Sequence, residues 1–95
     1  MLNSVSNRRL VIDPRETMGM RIRRLRTELQ LTQEDIAVAC DVSKTAVSQW
    51  ETSPAPNIKL QTFLKLLACL RVGFEELIYG TQPAPVKLQN NRRVV

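Results

Sequence analysis

Two helix-start signals, Thr32 and Ser43, stand eleven residues apart and constrain the fold more than any other feature of this sequence. Threonine and serine side chains cap helix N-termini by accepting a bond from a backbone N–H group. The first helix must stop at Asp41, a residue type that tolerates the left-handed conformation of a tight turn. The pattern therefore predicts a short helix over 33–40, a turn, and a second short helix over 44–51.

The second of these helices divides its side chains in an unusual way. Val47 and Trp50 lie three residues apart and form the inward face, with Trp50 as the anchor in the core. The outward face lacks the Glu–Lys pairs that usually solubilise a helix surface. Its members are short or medium polar side chains: Lys44, Thr45, Ser48 and Gln49.

A helix is also predicted before this pair. Asp13 can cap it, with Pro14 in the first helical position and Glu16 completing a capping box. Thr17 is a rival start, and the helix is expected to end near Gln30. Apolar residues follow at helical spacing: Ile22, Leu25 and Leu29.

Two more helices are predicted after the pair, which gives an all-α, compact domain of five helices. Asn57 is a candidate cap for the fourth helix, which runs to about Leu70. Its apolar stripe is wide: Leu60, Phe63, Leu64, Leu66, Leu67 and Leu70. A short fifth helix spans 74–79 and stops at Gly80.

Length and composition narrow the class of protein. Ninety-five residues allow one small domain. The longest apolar runs have five residues, whereas a membrane-spanning helix needs about 20, and no secretory signal is visible. We therefore expect a cytoplasmic protein. Cys40 and Cys69 lie among apolar neighbours and are expected to be buried free thiols.

Catalytic and metal chemistry find little support in this composition. The chain has no histidine, so it can form neither a Cys–His nor a Ser–His pair, and its two cysteines are spaced too far apart for a typical zinc site. The three glycines form no phosphate-binding loop. We expect no enzyme activity, no metal and no cofactor.

The positive charge is unevenly distributed. The formal net charge is +5, and residues 1–16 contribute +1, 17–31 contribute +3, 32–80 contribute −2 and 81–95 contribute +3. Basic residues thus concentrate in the first helix and at the two ends. This distribution suits a polyanionic partner such as nucleic acid.

Several segments together resemble the phage-repressor and Cro-type (XRE-like) helix-turn-helix family. They are 31–37, 42–43 and 47–51, with further similarity at 22–26, 63–66 and Leu70. The resemblance covers about residues 18–80. Two positions depart from the family pattern, because Asp41 and Arg71 stand where the family usually has glycine.

The resemblance implies that the helix over 44–51 enters the DNA major groove. Lys44, Thr45 and Gln49 then stand where the family reads base edges, with Ser48 as a weaker fourth candidate. Lysine can donate to guanine, glutamine can bond adenine, and a threonine methyl can contact a thymine methyl.

Other residues are expected to position the protein on DNA. Candidate phosphate contacts are Gln33, Ser43, Thr52, Asn57 and Lys59. By resemblance, Arg26 and Glu51 form an ion pair between the first helix and the end of the reading helix. Arg21, Arg23 and Arg24 are ambiguous. Arg21 and Arg24 could contact the DNA backbone or an acidic partner, and at least one of the three is expected simply to face solvent.

The leading hypothesis is a sequence-specific transcriptional repressor that binds a palindromic operator as a homodimer. The dimer interface is expected from the tails or from the fifth helix, at Phe74, Leu77, Ile78 and Tyr79, although ordinary core burial of Phe74 and Leu77 is at least as well supported. In this view, 17–80 is the DNA-binding domain, 1–16 an N-terminal arm and 81–95 a basic C-terminal tail.

A second hypothesis is an antitoxin that binds its own operator and holds a toxin partner with a terminal tail. A third reading concerns the ends alone. There, Arg8, Arg9, Arg92 and Arg93 grip DNA without regard to sequence.

Overall fold

Five α-helices form the part of the chain described by the structure, a computed structural model that covers residues 13–80. They are α1 (Met18–Glu28), α2 (Gln33–Cys40), α3 (Lys44–Thr52), α4 (Leu60–Leu70) and α5 (Phe74–Tyr79). Residues 13–80 contain no strand, which confirms the all-α, five-helix prediction. The predictions for residues 1–12 and 81–95 lie outside the described residues.

The start of α1 corrects one prediction. Thr17 is the N-cap, and its Oγ1 accepts the N–H of Met20 at 3.1 Å. Asp13 instead closes a turn, since its Oδ1 accepts the N–H of Arg15 at 2.9 Å and its carbonyl accepts the N–H of Glu16 at 2.9 Å. The capping box predicted at Asp13 is therefore wrong, because the Asp13 carboxylate is used within this turn.

The helices at the centre of the motif begin at the predicted residues. Thr32 and Asp35 form a capping box at the start of α2, with Oγ1 accepting at 3.0 Å and Oδ2 accepting at 2.8 Å. Ser43 caps α3, and its Oγ accepts the N–H of Ala46 at 3.0 Å. Local side-chain chemistry thus fixes the length of α2 and of the turn after it.

One left-handed residue follows each of α1, α2 and α4: Gln30, Asp41 and Arg71, with φ between 59° and 61°. In each case the next N–H bonds to a carbonyl five residues earlier, at 3.0–3.1 Å. This is the main bond of a Schellman motif, which usually has glycine in the left-handed position. Asp41 and Arg71 thus adopt the left-handed conformation that glycine usually takes in such a motif, at a cost of about 1 kcal/mol each.

Each helix contributes one side chain with no solvent exposure, and these five residues form the centre of the core: Ile22, Ile36, Val47, Leu66 and Leu77. α1 packs on α3 and α5, and α2 packs on α3 and α4. Trp50 is 8% exposed and belongs to the same cluster, as expected for the anchor of α3. α3 is therefore packed against both α1 and α2, with Val47 and Trp50 in the core.

α4 differs from prediction at its N-terminal end. Its N-cap is Lys59, which makes no side-chain capping bond, and Asn57 is an exposed loop residue two positions earlier. Leu60 and Leu64 were expected in the buried stripe but are 70% and 54% exposed. Among residues 13–80 no helix covers that edge of α4, so only the part of the stripe facing α2 and the core is buried.

The two thiols are free, with Cys40 buried and Cys69 half-buried. Burial raises the pKa of Cys40 to about 11, with a smaller contribution from nearby Cys69. Burial likewise raises the pKa of Cys69. Both thiols are therefore protonated at neutral pH.

Candidate nucleic-acid interface

α2 and α3 form a helix-turn-helix whose turn is Asp41, Val42 and Ser43. The Val42 N–H bonds back to the Ala37 carbonyl at 3.0 Å, and Ser43 then starts the next helix. Val42 is half-buried against the core, so the turn is fixed at both its backbone and its side chain. This geometry presents the outer face of α3 to solvent.

The predicted reading residues share that outer face. Lys44, Thr45 and Gln49 are exposed, and Ser48 is half-buried. On the opposite face, Val47 and Trp50 enter the core. Because α3 is held by its inner face, its outer side chains are available for contact with a ligand.

Charge on this face has one sign. α3 has a single acidic residue, Glu51, which is buried at 7% exposure and paired with Arg26. Lys44 is the charged side chain exposed on α3. The outer face therefore combines one cation with neutral hydrogen-bonding groups, which is the chemistry that contacts base edges beside phosphates.

Three polar side chains hold the end of α3 in position. Arg26 donates to Glu51 from Nε at 2.6 Å and from Nη2 at 3.1 Å, and its Nη1 donates to the Leu31 carbonyl at 2.8 Å. Gln33 Nε2 also donates to Glu51, at 3.0 Å. The family resemblance implied the ion pair, but sequence reasoning missed the bond from Gln33. This bond joins the start of α2 to the end of α3. The pair is buried, so breaking it costs more than the 1 kcal/mol or so of an exposed pair.

The predicted phosphate-binding side chains differ in the donors they have left. Ser43 accepts one bond as a cap, and its hydroxyl hydrogen stays available to donate. Gln33 gives one of its two amide hydrogens to Glu51 and keeps the other. Thr52 donates within α3 to the Gln49 carbonyl at 3.1 Å, which makes it a weaker donor to phosphate. Asn57 and Lys59 are both exposed in the connection between α3 and α4.

A close contact at Gly19, which sequence reasoning missed, sets the distance between α1 and α3. A Cβ atom at this position would collide with the carbonyl oxygens of Trp50 and Ser53. The N–H of Met18 also bonds to the Pro54 carbonyl at 3.3 Å. The start of α1 therefore lies directly against the C-terminal end of the reading helix.

Arg21 has a structural role that its sequence position did not reveal. It is 5% exposed, and its Nη1 donates to the Leu77 carbonyl at 2.7 Å and to the Ile78 carbonyl at 3.3 Å. Its Nη2 donates to the Glu16 carbonyl at 3.2 Å, and Gly80 lies against the guanidinium. We call this cluster the Arg21 corner. It joins Glu16, two residues before α1, to the last turn of α5, so the structure assigns Arg21 to the fold.

Glu16 balances the charge at this corner. Its carboxylate accepts bonds from Arg21 Nε at 3.2 Å and from Arg24 Nε at 2.6 Å. Burial raises the pKa of Glu16, but the hydrogen bonds and charges of Arg24 and Arg21 outweigh burial, and the net pKa is lowered. Arg21 and Arg24 thus both face an acidic partner within the chain.

The residues expected at a dimer interface separate into two groups. Leu77 is completely buried within this domain, as the core-burial alternative predicted, and has no surface to offer a second copy. Phe74 and Tyr79 are 55% and 64% exposed, and Ile78 is half-buried. The Phe74 ring meets the Phe63 ring edge-on, with 5.9 Å between their centroids.

An apolar groove of about 280 Å³ lies beside these residues. Its lining comes from α1, α4, α5 and the connection before α4: Met18, Pro56, Ile58, Leu60, Phe63, Phe74 and Ile78. Exposed contiguous apolar surface of this kind is typical of interaction sites.

Two negative findings apply to residues 13–80. No helix in that range has both the length and the apolar character needed to cross a membrane. Nor does the range bring three or more His, Cys, Asp or Glu side chains into a group that could hold a metal ion.

Solved structures of DNA-binding domains resemble this one. The P22 c2 repressor, in a crystal structure with the synthetic operator 9T, matches with a TM-score of 0.61 and 33% identity, covering 67% of this chain and 96% of that one. The N-terminal DNA-binding domain of SinR from Bacillus subtilis matches with a TM-score of 0.56 and 28% identity, covering 63% of this chain and 87% of that one.

One enzyme also has a similar segment. The glutamine–fructose-6-phosphate aminotransferase of Methanocaldococcus jannaschii is 31% identical over 64 residues, which are 67% of this chain. The chain spans only 6% of that enzyme's length, so the similarity concerns one small segment of it.

The sequence profile of the helix-turn-helix family matches residues 22–77, which is more than half of the chain. That match, the α2–turn–α3 geometry and the likeness to two DNA-binding domains agree with one another. The chain belongs to the helix-turn-helix family, of the phage-repressor (XRE) type.

Proposed function

We propose that this protein is a sequence-specific repressor that binds a palindromic operator as a homodimer, with α3 in the major groove. The observation that carries the proposal is the outer face of α3, which exposes Lys44, Thr45 and Gln49 and no acidic group. The P22 c2 repressor, whose structure contains an operator, supplies a related case of the same fold on DNA.

Base readout rests on three exposed side chains. Lys44 donates to the O6 and N7 atoms of guanine, and Gln49 forms a bidentate bond with adenine N6 and N7. The Thr45 methyl contacts a thymine methyl. Ser48, which is half-buried, adds a weaker polar contact at the edge of this set.

Phosphate contacts surround this reading face. Ser43 and Gln33 retain hydrogen-bond donors at the starts of α3 and α2, where helix N-termini also favour an anion. Asn57 and Lys59 provide a second set of contacts from the connection to α4. Thr52 is the weakest member, because its hydroxyl donates within α3. Such contacts fix register and leave sequence selection to α3.

A dimer provides the DNA affinity that one recognition helix alone cannot supply. One recognition helix reads only a few base pairs, and a two-fold dimer reads two half-sites about 10 base pairs apart. The exposed Phe74 and Tyr79, the half-buried Ile78 and the adjoining apolar groove support a self-complementary interface at α5. Repression follows by occlusion, when the bound dimer covers a promoter that overlaps the operator.

Selection of bound sites from random duplex DNA at about 0.15 M salt tests this function. We expect a palindromic motif, and its half-site spacing gives the dimer geometry. Binding without any enriched motif would contradict sequence-specific regulation. An asymmetric motif of a single half-site would support base reading by α3 but contradict binding as a dimer.

A further inference from the structure

We propose that Arg23, on the exposed side of α1, binds a phosphate of the DNA backbone next to the phosphate that is contacted from the start of α2. The inference rests on DNA binding through α3, as proposed above, but on neither the palindrome nor the dimer. Arg23 is exposed, and it forms no hydrogen bond or ion pair with any residue between 13 and 80. Its guanidinium therefore keeps all five N–H donors for a ligand.

The other three arginines of α1 each have a carboxylate partner within the fold. The pairs are Arg21 with Glu16, Arg24 with Glu16 and Glu28, and Arg26 with Glu51. Three carboxylates thus balance three arginines, and the charge of Arg23 is left uncompensated in this set. A guanidinium in this position matches the geometry of an anion with two oxygens to offer, such as a phosphate.

Arg23 lines an open groove of about 400 Å³ that connects α1 to the end of α3. The other lining residues are Glu16, Met20, Arg24, Thr27 and Glu51. Both carboxylates in this lining are already bonded to arginines of α1. Thr27 donates its hydroxyl hydrogen to the Arg24 carbonyl at 2.9 Å, so it has no donor left for a ligand. Arg23 is therefore the lining residue whose charge and donors are all available to an anion.

The groove reaches the part of the domain that is proposed to face the DNA backbone. Glu51 lies in its lining and accepts the bond from Gln33 Nε2 at 3.0 Å. Gln33 begins α2, where its second amide hydrogen and the helix N-terminus are both available to a phosphate. One carboxylate thus contacts Gln33 and borders the groove that contains Arg23. A DNA strand that passes the start of α2 therefore brings a neighbouring phosphate to this groove.

The experiment measures binding of the full chain to a random-sequence duplex by fluorescence anisotropy over a series of salt concentrations. Losing one phosphate contact makes the slope of log K against log salt less steep by about 0.9. We expect this change in Arg23→Gln for each bound copy of the chain, and no change of slope in Arg23→Lys, which keeps the cation. The melting temperature should stay the same in both variants, because Arg23 is exposed and bonds no residue that the structure describes.

Arg71→Gln is the matched control. Arg71 is also an exposed arginine, but it follows α4 and lies outside the groove. We expect its slope to change much less than that of Arg23→Gln. An unchanged slope in Arg23→Gln would overturn the proposal and leave Arg23 to solvent or to an acidic protein. Equal changes in the Arg23 and Arg71 variants would also overturn it, because net charge alone would then explain the effect.

Site selection from random duplex DNA separates this inference from the proposed function. We expect Arg23→Gln and the original chain to enrich the same motif, since losing a phosphate contact weakens binding equally across sequences. A changed motif would overturn the inference and assign Arg23 to base reading. If the original chain enriched no motif while Arg23→Gln still changed the slope, the proposed repressor function would be contradicted and the phosphate contact supported.

Discussion

Arg26 and Glu51 face each other through two hydrogen bonds, 2.6 Å from Nε to Oε2 and 3.1 Å from Nη2 to Oε1. The pair joins α1 to the last turn of α3, and its side chains are only 12% and 3% exposed. Replacing Arg26 with alanine leaves a buried carboxylate with Gln33 as its remaining donor. We expect Arg26→Ala to lower the free energy of unfolding by about 3 kcal/mol.

Urea unfolding followed by Trp50 fluorescence measures this effect. The control is Arg15→Ala, since Arg15 pairs with Asp13 at a side-chain exposure of 88%. Solvent screens that exposed pair, so we expect little change in stability from this control. Similar losses in the two variants would contradict a structural role for the Arg26–Glu51 pair.

Gly19 tests the contact between α1 and the reading helix. A Cβ at this position collides with backbone carbonyls, which cannot rotate away as a side chain would. We expect Gly19→Ala to destabilise the domain by about 1–3 kcal/mol and to weaken DNA binding by shifting α3. Gly73→Ala is the matched control, because a Cβ there meets no atom within 4 Å. Thermal unfolding gives the melting temperature of each variant. An equal decrease in both variants would disprove the close-packing argument.

Glu16 makes stability depend on pH. Its pKa is lowered in the folded chain from an ordinary value of 4.5, so its contribution is present above pH 4.5 and is lost as pH falls through the folded-state pKa. We expect Glu16→Gln to cost about 1–3 kcal/mol at pH 7. The difference between the variant and the original chain should disappear in acid. Denaturant titrations between pH 7 and pH 3 measure it, and a difference that stayed constant would exclude an ionised Glu16 as its cause.

Gln49 and Lys44 are expected to determine base preference. Substituting either with alanine should cost about 1–3 kcal/mol at one symmetric position of the selected site. The control is Gln61→Ala, an exposed glutamine on α4 outside the reading face. Competition binding with single base-pair changes measures the preference. A uniform loss across all sequences would assign both side chains to backbone contacts instead.

The thiol of Cys40 should be slow to react. Its pKa of about 11 reduces the thiolate fraction at pH 8 about 100-fold relative to a thiol with the ordinary value of 9.0. Burial also limits access of the reagent, so the half-buried Cys69 should react first. Iodoacetamide labelling with mass spectrometry gives both rates, with the chain in denaturant as the reference. Equal rates for the two thiols in the native chain would contradict this order.

Sequence reasoning succeeded where local chemistry decides the structure. Thr32 and Ser43 cap their helices because the acceptor and the N–H group are three residues apart along the chain. It failed at Asp13, whose carboxylate closes a local turn, while the rival start at Thr17 is favoured by its own capping bond to Met20 and by the tertiary bond to the Pro54 carbonyl.

The contacts that sequence reasoning could not predict are mainly those between residues far apart in the chain. Arg21 bonds a carbonyl 56 residues away, and no pattern around Arg21 distinguishes it from a solvent-facing arginine. The exposure of Leu60 and Leu64 has a similar cause, because an apolar stripe shows which face of α4 is hydrophobic but not how much of it neighbouring helices cover. Within the reading helix, the inner and outer faces followed from the 3.6-residue period and were predicted correctly.

The Arg21 corner gives the folded region the topology of an almost closed ring, since one guanidinium bridges the backbone at residue 16 to that at residue 77. A short linker could join residues 13 and 80, the two ends of the folded region. A fluorescent tag attached directly at residue 13 or residue 80 would lie on the same side of the folded region, beside the end of α3. In the proposed complex, such an addition would therefore compete sterically with DNA at either position.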